Sequence, residues 1–117
     1  MKITSKKAQP ASKHGINLLL YPVNRKEAGL VHVSVKEGHF QEFYDKKSTF
    51  LYYIIKGQGK FYLNRRPISA KATDIIVAPP RTKIYYFGNM EMVLVTVPAW
   101  RPENEVHVRF IKKPKKI

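Results

Sequence analysis

The 117-residue chain contains no cysteine. That excludes a disulfide framework, thiolate metal sites and cysteine nucleophiles, and it agrees with a reducing compartment. Acidic residues are scarce: eight Asp and Glu stand against 22 Lys and Arg, a formal net charge of +14. The excess is largely terminal, since nine of the basic residues fall in residues 1–13 and 109–117, where there is no acid. Such tails keep a small protein soluble or hold phosphate backbones without sequence preference. No recognition helix, zinc finger or RNA-recognition motif accompanies them, so nucleic acid ranks last among the partners considered. Long apolar runs are missing too. The run INLLLYPV is short and broken by Asn17 and Pro22, so it reads as a strand rather than a signal peptide or membrane span, and a cytoplasmic location is the expectation.

What the chain does have is 44% hydrophobic and 12% aromatic residues, enough for a packed globule and, at this length, one domain. Helical periodicity is hard to find. Short β-branched and aromatic runs recur instead (LVHVSVK, FLYYIIK, KFYLN, TDIIVAP, MEMVLVTVP), separated by turn residues as in KGQGK, NRRP and APPR. That spacing predicts an antiparallel sandwich or barrel. The organisation expected is a basic N-terminal arm over 1–14, a barrel over 15–111 and a basic tail over 112–117. In FLYYIIK both alternate sets are apolar, Phe50, Tyr52 and Ile54 on one face and Leu51, Tyr53 and Ile55 on the other. Such a strand is covered on both sides, by the barrel interior and by a second sheet or a partner subunit, which points to a homodimer.

The stretch EGHFQEFYDKKSTFLYYIIKGQG, Glu37 to Gly59, together with TDIIVAPP further on, resembles the cupin superfamily, small jelly-roll barrels of the double-stranded β-helix type. The first cupin motif spaces two glycines around a His-x-His pair and a glutamate. Counted from Gly38, the glycines fall on Gly38 and Gly57, and the ligand positions fall on Tyr44, Lys46 and Phe50. In the second motif, which starts at Thr73 beside Asp74, the proline falls on Pro79 and the histidine position on Ile84. The resemblance implies an all-β cupin barrel. Phe50 and Ile84 offer no lone pair, and Lys46 would set a cation beside a metal, so neither a metal nor any other cofactor is expected at the usual site.

On that alignment Tyr44, Phe50 and Ile84 face the cavity, and period-two alternation adds Tyr52 and Tyr86. Rings carrying phenol hydroxyls suit a small polar or ring-containing ligand, carbohydrate-like among others, bound without an evident reaction. The alternative is a metal-independent isomerase or epimerase with Tyr44 and Lys46 as the acid–base pair, a class that the resemblance makes plausible. Trp100, between Pro98 and Pro102, is placed at the barrel mouth or on a subunit interface. His14 is read as a tail residue. His32, His39 and His107 are read as surface or structural histidines, with a displaced metal site using His32 and His39 as the weaker alternative.

Overall fold

The computed structural model describes residues 1–114. Among these residues nine strands form a single curled antiparallel sheet: β1 (Gln9–Lys13), β2 (Ile16–Tyr21), β3 (Gly29–Val35), β4 (Gly38–Asp45), β5 (Thr49–Leu63), β6 (Arg66–Lys71), β7 (Ile75–Ala78), β8 (Ile84–Val97) and β9 (Glu105–Phe110). The order along the sheet is β1-β2-β3-β8-β4-β9, and β5 joins β8 to β6 and β7. The all-β cupin barrel predicted from the resemblance is the fold observed. No helix among the described residues is long and apolar enough to cross a membrane.

Two long strands, β5 and β8, run the length of the barrel in register from Thr49↔Val97 to Leu63↔Ile84. A shift between Ile54 and Lys56 changes which residues face inward. Phe50, Tyr52 and Ile54 are buried before it and Phe61 after it, so the buried set moves from even to odd numbers. On β8 no such flip occurs, and Ile84, Tyr86, Met90, Met92 and Thr96 are all buried. Beyond the shift the two strands approach closely. A side chain at Gly57, whose φ is +88°, would meet the Asn89 carbonyl oxygen at 2.0 Å, so only glycine fits there.

The core is built from Val33 and Val35 of β3, Phe43 of β4 and the inward residues of β5 and β8. The outer set of β5 is half-exposed, with Tyr53 at 43% and Ile55 at 42%, beside Ile75 and Val77 of β7.

The expected N-terminal arm is only in part an arm. Residues 9–13 form β1, paired with β2 from Gln9↔Leu20 to Lys13↔Ile16. The hairpin closes through His14 and Gly15, both at positive φ (47° and 97°), the backbone that a two-residue turn between twisted strands requires. The barrel therefore starts before residue 15. The expected tail over 112–117 lies partly outside the described residues. Within them, Lys113 is ion-paired with Glu37.

Candidate active site

A cavity of about 210 Å³ opens inside the barrel. Its walls are largely aliphatic, with Leu18 and Leu20 of β2, Val31 and Val33 of β3 and Leu94 of β8. One end carries the rings of His39, Phe43, Phe50, Tyr52 and Tyr86, and Lys13, Trp100 and Glu105 add polar groups.

His39 is the least expected member. It follows the turn glycine at the start of β4, pairs across the sheet with Tyr86, and is 1% exposed. Its ring centroid lies 5.2 Å from that of Phe43 and 5.4 Å from that of Tyr86. Neither ring nitrogen has a hydrogen-bond partner among the described residues. Burial, reinforced by the positive Lys13 and by His14, lowers its pKa from 6.5 to about 3. The imidazole is therefore neutral at physiological pH, with one nitrogen lone pair and one N–H available to a ligand. Reading His39 as a surface or satisfied structural histidine is corrected on both counts.

Tyr52 and Tyr86 are fully buried, 1% exposed each, with ring centroids 5.8 Å apart. Burial raises both phenol pKa values, and for Tyr52 the neighbouring Tyr86 and Glu105 add to the effect. Both stay neutral hydroxyl groups. Period-two alternation placed these two and Phe50 correctly inside the barrel.

Lys13, at the end of β1, and Glu105, at the start of β9, form an ion pair at 3.0 Å with side chains 32% and 18% exposed. They belong to the two end strands of the sheet path, so the pair bridges its edges. The Trp100 indole donates to Glu105 Oε1 at 3.1 Å, and the Trp100 backbone N–H donates to the Thr96 hydroxyl at 3.2 Å. Trp100 thus sits on the cavity wall. Lys13 and Glu105 are the lining residues that carry a formal charge. Lys13 was missed because composition assigned it to the N-terminal arm.

Three expected site residues lie elsewhere. Tyr44 follows the inward-facing Phe43 on β4, pairs with Val106 and does not line the cavity. Lys46 is an exposed residue beyond the end of β4, its backbone N–H bonded to the Asn104 carbonyl. Ile84 is buried in the core, paired with Phe43 and Leu63, but lies outside the cavity lining. Counting the motif from Gly38 set even-numbered positions inward, whereas the odd-numbered His39, Gln41, Phe43 and Asp45 of β4 are buried and the strand ends at Asp45. The acid–base pair Tyr44–Lys46 is therefore not assembled. A divalent metal does not fit the site either: His39 and Glu105 are its imidazole and carboxylate, and Glu105 is engaged by Lys13 and Trp100. Among the described residues no group of three His, Asp or Glu side chains is gathered.

On the opposite face of β4, the Glu42 carboxylate is fully buried beneath Arg65 (3.2 Å) and Arg109 (2.9 Å). Burial opposes its ionisation, but the hydrogen bonds from Arg65 and Arg109 outweigh it and hold the pKa below the usual carboxylate range. This network anchors β9, and with it Glu105, to β4.

The barrel and its buried cavity define a cupin, and the chain belongs to the cupin superfamily. It matches Pac13, described as a unique nucleoside dehydratase, at 48% identity over 97% of this chain and 94% of that one, with a TM-score of 0.95. Streptomyces Pac13 solved with uridine matches at 47% identity over 96% and 93%, with a TM-score of 0.94. KdgF from Halomonas sp. shares the fold at 14% identity over 88% of this chain and 96% of that one, with a TM-score of 0.73. No protein-family model and no curated protein matches the chain. Three uridine-bound forms of Pac13 each carry one substitution, a histidine to glutamine or one of two tyrosines to phenylalanine. The three substituted positions follow one another in the same order and at the same separations as His39, Tyr52 and Tyr86 here.

Proposed function

We propose that this protein is a nucleoside dehydratase that takes a uridine-like nucleoside into the barrel and eliminates water from its sugar, with His39 as the base. One observation carries the reading. His39, Tyr52 and Tyr86 converge on one end of the cavity, and they match in type and spacing the three residues substituted in the uridine-bound forms of Pac13.

The site chemistry agrees with an elimination. A neutral, unpartnered imidazole on the wall of a largely apolar cavity can take a proton from carbon. An ordinary sugar C–H bond is too weak an acid for a neutral imidazole to deprotonate. The substrate must therefore present a C–H bond acidified by a neighbouring carbonyl, and the charge developing there draws the proton onto His39. Tyr52 and Tyr86, held as neutral phenols, supply hydroxyl hydrogen bonds that orient the sugar. The aliphatic walls from β2 and β3 receive the base.

The test is to incubate the protein with uridine, cytidine, adenosine and their carbonyl-bearing oxidation products, and to follow loss of water by mass spectrometry, with His39→Gln as control. Water loss from a carbonyl-bearing uridine derivative, abolished in the control, is the expected result. Binding without water loss across the whole panel would return the protein to a binding role.

A further inference from the structure

Resting on the dehydratase reading, we propose that Lys13 is a second catalytic residue: its ammonium, held in the cavity wall by Glu105, protonates the departing hydroxyl group. Elimination of water needs a base and an acid, and the reading above accounts only for the base. Among the lining residues the candidate acids are the Tyr52 and Tyr86 phenols, the Thr96 hydroxyl, the Trp100 indole and Lys13. Burial holds both phenols against ionisation, which makes them poorer acids than phenols in water. A hydroxyl and an indole are weaker still. Lys13 is the lining cation, with three N–H donors on a flexible stem.

Its position supports the role. Lys13 ends β1 at the His14–Gly15 turn, and its ammonium lies 5.7 Å from the centroid of the Phe43 ring, which in turn packs edge-on against His39. Base and acid therefore flank the same ring and line the same cavity, and the charge of Lys13 is felt at His39. Glu105 accepts from Lys13 through both oxygens, at 3.3 and 3.0 Å, and takes the Trp100 indole N–H as well. Two of the three ammonium hydrogens are thus directed at the carboxylate, leaving the third for a substrate oxygen. Glu105 is a positioning residue that fixes where the ammonium points.

The step balances. The carbon–hydrogen bond breaks and its proton passes to the free nitrogen of His39, while its electron pair forms the new carbon–carbon double bond. The carbon–oxygen bond on the adjacent carbon breaks, and the oxygen keeps that pair, takes a proton from Lys13 Nζ and leaves as water. Lys13 is then a neutral amine and His39 an imidazolium, and transfer of one proton from the second to the first through solvent restores the site.

A change of leaving group separates this role from a structural one. Each variant is assayed on the nucleoside that wild-type protein dehydrates and on the same compound with fluoride in place of the departing hydroxyl, since fluoride leaves without a proton. Lys13→Met and Lys13→Gln should each lose at least about a hundredfold in kcat with the hydroxyl substrate. They should lose less than about tenfold with the fluoride, and Lys13→Arg should fall between wild type and Lys13→Met. Glu105→Gln should lower kcat on the hydroxyl substrate more than it raises KM. Equal losses on both substrates, or no loss on either, overturn the assignment of Lys13 while leaving the dehydratase standing. A wild-type protein that eliminates neither water nor fluoride overturns both. Thermal unfolding of each variant is measured alongside, and the two non-basic substitutions provide a second chance of a folded variant.

Discussion

Protonation of His39 sets a limit on stability at low pH. The ring is 1% exposed and its pKa falls from 6.5 to about 3 on folding. Between those values the unfolded chain binds a proton that the folded chain refuses. Stability is therefore fully present above pH 6.5 and is lost as the pH falls toward 3. The slope approaches about 1.4 kcal/mol per pH unit, so from pH 6 to pH 4 His39 alone removes roughly 2 to 3 kcal/mol. That is a large share of the stability of a domain this size, about 5–15 kcal/mol. Replacing the ring with a non-titrating apolar group of similar size, His39→Leu, removes this dependence. Urea unfolding followed by the fluorescence of Trp100, the sole tryptophan, at half-unit steps from pH 7 to pH 4 gives both curves. Their difference isolates His39 from the carboxylates that titrate in the same range. The two curves should diverge steadily below pH 6, with the variant gaining on the wild type. Parallel curves would refute the claim that His39 is buried in its neutral form.

The same burial predicts that kcat/KM for the dehydration shows no acid limb near pH 6.5, because the free enzyme already holds its base unprotonated there; a limb at that pH would place His39 in solvent. Tyr52→Phe and Tyr86→Phe each remove one hydroxyl and keep the ring, so thermal stability should change by less than about 1.5 kcal/mol while turnover falls at least about tenfold. Arg109→Ala strips one of the two partners from the buried Glu42 carboxylate and should cost about 1–3 kcal/mol in urea unfolding, with Glu42→Gln in the same background recovering part of it. Gly57→Ala drives a methyl group into the Asn89 carbonyl and should lower stability by more than about 2 kcal/mol, read from the thermal midpoint.

The inward residues of β5 and β8 could be read from sequence because strands alternate with a fixed period of two, and one well-placed aromatic run is enough to assign Phe50, Tyr52 and, on the matching strand, Tyr86. On β4 the motif count failed rather than the alternation: His39, Gln41, Phe43 and Asp45 are all buried, and the register shift between His39 and Phe43 leaves their parity unchanged. Counting from Gly38 set the even-numbered Tyr44 and Lys46 on ligand positions and left His39 outside. A local signal was nonetheless present: His39 and Phe43 are four residues apart, so unbroken alternation would put them on the same face. Lys13 and Glu105 were hidden for a different reason. They lie 92 residues apart, and their meeting depends on the curl of the whole sheet, which no local pattern records.

The Lys13–Glu105 pair spans two strands that each have a neighbour on one side only, β1 on β2 and β9 on β4. Edge strands open before the strands between them. The two groups that charge the cavity are therefore carried by the parts of the molecule that fray first, while His39 and the tyrosines stay in the body of the barrel. On warming, activity should disappear while most of the fold, and its capacity to hold an apolar ring, is still intact. On the dehydratase reading, a truncation that removes β1 would act in the same way, leaving a folded protein that binds but does not turn over.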